Sequence, residues 1–373
     1  MKLKNIAVLA LAGTLAASTI LAGCGNRIDQ KAVVAKLGDK EISLGLANFM
    51  AQYQAVTYDS YYMASFGKDM WSKDISGSGS TMTDQVKSSV MDQIETDYLL
   101  EQHMKDYKVE ITDAELQAMK DAAKQFMSDN SKKAADKMGA TEENLTEMLR
   151  LSLIQQKMQK AIEAEVDTNV SDADAAQRTF SYINVTTDGK YDSNNKLVAF
   201  TDAEKAALPD KVKEMATAAK TDFDGTATKN GYKVSTYSYG TDIKNDTMNQ
   251  AVLTAANALK AGQISDLITT DTSGYYIIRL DSEFDRAATD KKKESIASQR
   301  KTDHYTEVTN GYKKDAKWTI NKDTWAKVNF DELYSIKKND STELSEGQAT
   351  TATDGTAVST EAITGTETTQ STK

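Results

Sequence analysis

The sequence predicts an α+β fold: a mainly helical domain, an inserted α+β domain and a C-terminal helical segment. Three observations carry this reading. Pro209 is the only proline in 373 residues, which leaves long helices uninterrupted. Apolar residues recur every three or four positions between Val86 and Val166, the rhythm of one helix face. At Thr179 that rhythm gives way to short β-branched and aromatic runs.

The chain opens with Lys2 and Lys4, followed by an uncharged segment from Ile6 to Ala22, the layout of an export signal. Leu21-Ala22-Gly23-Cys24 closes that segment and reads as a lipobox, in which Cys24 is acylated and becomes the first mature residue. Residues 1–23 are then a lipoprotein signal peptide, residues 24–31 a tether, and the mature chain sits lipid-anchored at the outer face of a cell membrane. An ordinary secretory signal with a chance cysteine is the alternative. Cys24 is the only cysteine, so no disulfide forms within the chain. Loss of Lys2 and Lys4 takes the net charge from −10 to −12, which argues against a nucleic-acid partner.

The helical domain spans 32–175. Ala32 to Leu37 and Lys40 to Ser43 form a strand pair turned at Gly38-Asp39, and a helix follows from Leu44. Ser76 to Ser80 reads as a flexible loop, and its glycines lack the lysine and spacing of a phosphate cradle. Val90, Ile94 and Tyr98 mark a helix from Val86. Thr112 and Glu115 form a capping box for the next, Thr141 starts a third that reaches Val166, and Ser171 caps a short one.

The inserted domain spans 176–286. Phe180 to Val185 is a strand, Thr201 and Glu204 box a helix to Ala219, Ala251 to Leu259 is a further helix, and Gly274 to Leu280 is a strand. A charged helix from Asp290 to Lys314 and an aromatic extension containing Trp318, Trp325 and Phe330 make a C-terminal segment, 287–337, expected to pack on the helical domain. Residues 338–373 are rich in threonine, serine and glutamate and are read as a disordered tail.

Two stretches of the inserted domain resemble a parvulin-type peptidyl-prolyl isomerase. Ala258 to Ile268 is similar to that family's L-x-x-G-x-(V/I)-S turn with its flanking elements, and Gly274 to Leu280 to its closing G-Y-H-I-I strand. Residues Val33 to Val170 are similar to the helical chaperone half of PrsA and SurA proteins, including the G-x-T-E start at Gly139 to Glu142. The resemblance implies a foldase that assists unfolded or folding secreted polypeptides. It places Tyr182 and Tyr276 at the family's two catalytic histidine positions, Met248 at the methionine of its proline pocket, and Val252 where the family carries phenylalanine. The short loop read between Phe223 and Gly240 offers no match for the family's catalytic cysteine or aspartate. Isomerase activity is therefore expected to be weak or absent.

Eleven of fourteen methionines lie between Met50 and Met158, and flexible thioethers suit a surface that accepts many apolar sequences. Core filling is the simpler reading for any single methionine. The predicted polypeptide-binding surface is therefore the cluster Met50, Tyr53, Tyr58, Tyr61, Tyr62, Met63, Phe66, Met70 and Trp71. His103 and His304 stand far apart without cysteine partners, so neither a metal site nor any cofactor is expected, and no Ser-His-Asp triad is visible. An active parvulin-type isomerase and a solute-binding or adhesive surface lipoprotein are the competing functions.

Overall fold

A computed structural model describes residues 14–16, 28–191, 196–244, 246–271, 274–330, 333 and 335–337. Cys24 and the 338–373 tail lie outside the described residues. The chain divides into two compact units, one made of residues 1–161 and 308–373, the other of residues 162–307.

The first unit contains β1 (Thr14–Ala16), β2 (Val33–Leu37), β3 (Lys40–Ser43), α1 (Leu44–Phe66), a short 3-10 turn (Lys68–Ser72), α2 (Met82–Gln102), α3 (Asp113–Asp129), α4 (Lys132–Met138) and most of α5 (Glu142–Glu163). Gly38 takes φ 57° in the β2–β3 turn, a conformation open to residues without a Cβ. The Thr112 capping box forms, with Thr112 Oγ1 accepting from the Glu115 amide while the Glu115 carboxylate accepts from the Thr112 amide. The Ser76–Ser80 loop is tied down by Asp74, whose carboxylate accepts from the Ser78 and Gly79 amides at 3.1 and 2.6 Å.

The second unit contains α6 (Asp172–Ala175), β4 (Arg178–Val185), β5 (Gly189–Tyr191), β6 (Leu197–Ala199), α7 (Asp202–Ala219), α8 (Phe223–Asn230), β7 (Val234–Tyr239), α9 (Gln250–Ala258), β8 (Ile268–Thr270) and β9 (Gly274–Ser282). Helix α10 (Arg286–Asp315) begins in this unit and ends in the first, where β10 (Trp318–Ile320), α11 (Lys322–Trp325) and β11 (Ser335–Lys337) follow. Two elements correct the sequence reading. The stretch taken as a short loop between Phe223 and Gly240 is the helix α8 and the strand β7, held because Phe223 and Ala227 are buried against the sheet. The sole proline, Pro209, sits inside α7, within the helix read from Thr201 to Ala219.

In the second unit four antiparallel strands run in the order β7-β4-β9-β8, with β4 paired along its length to β9. Alternation sends Ile183, Val185 and Ile277 to one face under α7 and α8, and Phe180, Ile278 and Leu280 to the other under α9. Gly274 brings β9 close to Val185, whose carbonyl oxygen lies 2.2 Å from where a Cβ would stand. The start of α10 is tied to the entry of β4: the Gln177 amide donates to Thr289 Oγ1 at 3.1 Å, and Asp172 pairs with Arg286 and Lys293.

The first unit closes by joining distant parts of the chain. Strand β10 pairs antiparallel with β2, matching Trp318 to Leu37 and Ile320 to Ala35, so the three-stranded sheet runs β10-β2-β3. Trp325, Val328 and Phe330 enter the core formed by Val34, Phe49, Ile94 and Leu145. Gln52 Nε2 and Lys87 Nζ donate to the carbonyls of Asn329 and Val328 at 2.8 and 2.7 Å, fixing the extension.

Within this core, on α2, Asp97 is fully buried and neither carboxyl oxygen has a hydrogen-bond partner among the described residues. Burial drives its carboxyl well above the usual carboxylate range, moderated by the nearby Gln93 amide and Lys313 ammonium. Above about pH 4 the unfolded chain ionises this group while the folded chain keeps the proton, so the folded state binds more protons and stability falls as pH rises. Asp97→Asn removes that slope. Denaturant titrations at pH 4, 6 and 8 should show the variant gaining on the native chain with each step upward, at no more than about 1.4 kcal/mol per pH unit for one proton; parallel pH profiles would contradict the assignment.

Candidate functional site

The α9 face of the second unit's sheet holds the two tyrosines predicted at the catalytic positions. Tyr182 on β4 pairs in register with Ile278 and Tyr276 on β9 pairs with Asn184, so the two tyrosines are diagonal neighbours on one face. Their rings lie 5.9 Å apart at 42°. Phe180 completes the patch, 6.0 Å from Tyr182, 5.8 Å from Tyr237 and 5.7 Å from Tyr239. The sequence reading passed over Tyr237 and Tyr239 because it treated their strand as a loop.

The hydroxyls at the β7 end are committed. Tyr237 donates to the Asp246 carboxylate, which also accepts from the Met248 amide at 2.9 Å, and burial followed by that carboxylate pushes the phenol up. Tyr239 donates to Asn257 Oδ1 at 3.0 Å and accepts from Arg178 Nε at 3.0 Å. Met248 is half-buried against this cluster. Val252, expected to line the pocket, is fully buried on the inner side of α9 and belongs to the core instead. Phe180, Tyr239 and Tyr276 are buried, which leaves the half-buried Tyr182 and Tyr237 as the partly accessible members, and the patch contains no histidine.

The predicted surface on the first unit divides sharply. Met50 and Met70 are buried in the core and present nothing outward, because their helix positions face inward. Tyr53 packs 6.1 Å from Phe49, half-buried, and Trp71 packs 4.9 Å from Phe330 with the rings tilted at 56°, while its indole donates to Asp59 at 3.3 Å. Met91, Met119, Met138, Met148 and Met158 are likewise buried, so the methionine enrichment fills core. Tyr61 and Met63 lie outside the described side chains. What stays in solvent is the outer end of an aromatic ladder on the last turns of α1, whose first member, Tyr58, is half-buried against the core. Tyr58 meets Tyr62 at 6.0 Å and Tyr62 meets Phe66 at 6.2 Å, with Tyr62 44% and Phe66 45% exposed. Four-residue spacing puts the three on one helix face.

A second exposed apolar feature was missed in the sequence. The β5–β6 hairpin carries Tyr191, Leu197 and Val198, all exposed. Its signal is the β-rich run Leu197-Val198-Ala199-Phe200 ahead of the Thr201 cap.

Each histidine has one carboxylate neighbour. His103 Nδ1 lies 2.8 Å from Asp106, with its ring stacked 3.8 Å from Tyr312, and His304 Nε2 lies 3.3 Å from Glu165. Among the described residues no group of three or more His, Cys, Asp or Glu side chains is arranged to hold a metal ion. No described helix is long and apolar enough to cross a membrane.

The first unit also contains a polar cavity of about 620 Å³, bordered by the β2–β3 hairpin, α2, α3 and α5. Its base is a closed network. Tyr98 donates to Glu147 at 2.9 Å, and Arg150 binds Glu147 at 2.7 Å and Glu101 at 2.6 Å. Burial raises the Glu147 carboxyl, but the Arg150 contacts outweigh it and hold the group below the usual range.

Residues 1–159 match the family model described as a SurA-like N-terminal domain. No curated protein matches the chain. Among solved structures, the chain is similar to the foldase protein PrsA of Lactococcus lactis at 17% identity, covering 80% of this chain and 97% of that one with a TM-score of 0.30. It is also similar to a SurA-like chaperone of Campylobacter jejuni at 10% identity, covering 78% and 98% with a TM-score of 0.28. The peptidylprolyl isomerase PrsA of Bacillus cereus matches at 23% identity, covering 66% and 92% with a TM-score of 0.28.

Proposed function

We propose that this protein is an extracytoplasmic, lipid-anchored foldase that holds secreted polypeptides while they fold. The observation that carries the reading is the exposed pair Tyr62 and Phe66, continued by the half-buried Tyr58, on a domain whose sequence is SurA-like. Large aromatic side chains kept in water on one helix face offer apolar area to any chain that has not buried its own. Mutating Tyr62→Ser and Phe66→Ser together should leave the fold intact, since both are exposed, and cut suppression of aggregation of reduced, denatured lysozyme at least threefold in light scattering. Undiminished suppression would remove the ladder from the mechanism.

The second unit is a further binding surface with weak or absent isomerase activity. Rotation about an Xaa-Pro bond meets a barrier of about 20 kcal/mol and needs only a site that binds the twisted amide better than either planar form. With Tyr182 and Tyr276 at the two central positions, and with Tyr276 and Val252 buried in the core, few groups of this face are open to such binding. A protease-coupled assay on Xaa-Pro peptides should give a rate within a few-fold of the uncatalysed one. A large acceleration that Met248→Ala abolishes would establish the chain as an active isomerase.

Anchoring at the membrane rests on the lipobox at Leu21 to Cys24. Cells fed a labelled fatty acid should label the native protein and leave Cys24→Ala unlabelled; label on the variant would place the acyl chain elsewhere.

A further inference from the structure

The loop that leads from the 3-10 turn into α2 carries the spacing of a cation-binding loop. Counted from Asp74, oxygen-bearing side chains stand at the first, third, fifth and twelfth positions, as Asp74, Ser76, Ser78 and Gln85, with Gly79 at the sixth. Twelve-residue Ca²⁺ loops of the helix–loop–helix kind draw ligands from those four positions and from the carbonyl of the seventh residue, here Ser80, and require glycine at the sixth for a sharp turn. Gly79 takes φ 83°, and a Cβ built there would meet nothing within 4 Å, so backbone conformation rather than space calls for glycine.

The fold brings these groups to one point. Gln85 Nε2, on the first turn of α2, lies 2.9 Å from Ser76 Oγ, 3.2 Å from Ser78 Oγ and 2.9 Å from the Ser80 carbonyl oxygen. Asp74 draws the loop round itself: its carboxylate accepts from Ser76 Oγ at 3.2 Å, from the Ser78 amide at 3.1 Å and from the Gly79 amide at 2.6 Å. A side-chain amide nitrogen has two protons, and three oxygens surround this one, so the focus holds more acceptors than the amide satisfies. A half-turn of the amide presents Oε1 to the same point, and an all-oxygen focus beside a carboxylate is what a hard cation requires. Neighbouring charge does not oppose it: Asp84 stands at the eleventh position, and Lys73, adjoining the loop, is paired with Asp69 at 3.1 Å. We propose that Asp74, Ser76, Ser78, the Ser80 carbonyl and Gln85 form a Ca²⁺ site, with the Gln85 amide nitrogen standing in for the cation in its absence. Such a set, with one carboxylate among hydroxyls and a carbonyl, lies outside the His, Cys and multi-carboxylate patterns considered above. Serine at the third and fifth positions, Met82 at the ninth and glutamine at the twelfth leave little negative charge, which sets the affinity in the weak range of about 0.1–1 mM found in extracellular modules. The bound ion braces the entry to α2, where Thr83 Oγ1 already donates to the Trp71 carbonyl at 2.9 Å.

Calorimetric titration of the purified chain with CaCl₂, together with melting temperatures in CaCl₂ and in EDTA, tests the site. The native chain is expected to take up one Ca²⁺ with a Kd of about 0.1–1 mM and to melt higher with the ion than without it. Gln85→Glu supplies the carboxylate of the twelfth position and removes the amide protons. It should melt lower than the native chain in EDTA, bind Ca²⁺ at least tenfold more tightly, and recover its melting temperature when the ion is added. Asp74→Ala should weaken uptake at least tenfold. Because Gln85→Glu is read as a gain of binding, misfolding of Asp74→Ala leaves the test intact. No uptake by the native chain up to about 10 mM, no tightening by Gln85→Glu, or full uptake by a folded Asp74→Ala would overturn the proposal and leave a loop closed by the glutamine amide alone.

Discussion

The pairing of Trp318–Ile320 with Val33–Leu37 is the constraint on which the first unit is built. A two-stranded hairpin is marginal in water, and the β2–β3 pair becomes a sheet only when the C-terminal strand adds to it. Behind that strand come Trp325, Val328 and Phe330, which complete the apolar core around Phe49 and Ile94. The chain must therefore leave this unit after α5, build a second one, and return. Because the entropy of closing a loop grows only slowly with its length, an insertion of domain size costs little more than a short one.

Inside that frame, buried polar groups divide into satisfied and unsatisfied. Tyr98, Glu147, Arg150 and Glu101 form a closed set in which each charge meets an opposite charge or a hydroxyl, which offsets the cost of partial burial. Asp97, one residue from Tyr98 on α2, has no such set, and burial pushes its carboxyl well above the usual carboxylate range. Adjacent residues on a helix point about 100° apart, so neighbours in sequence meet unrelated surroundings.

Local chemistry was the most legible layer. The capping boxes at Thr112 and Thr201, the Ser171 cap and the Gly38 turn all lie where side chain and backbone interact within three or four residues, and each forms. Helix α8 and strand β7 were not legible. Phe223-Asp224-Gly225-Thr226 has weak helical propensity; the Asp222 side chain caps its helix by accepting from the Gly225 amide, and Phe223 and Ala227 are covered by the sheet. The aromatic cluster on α1 was found, but the side of the helix each member faces was not. Apolar residues occupy α1 nearly all round, so its sequence carries no stripe to say which face is inner.

The sequence by itself determined the α+β class and the helix starts, because these depend on residue identity and short-range spacing. Tertiary structure alone decided that Met50, Met70 and Val252 are core, that Tyr62 and Phe66 remain in water, and that Lys120 and Lys124 share a cavity with Glu142 and Glu143. Burial and cross-helix proximity depend on what packs against each face. That partner is often more than a hundred residues away, as Phe330 is from Trp71.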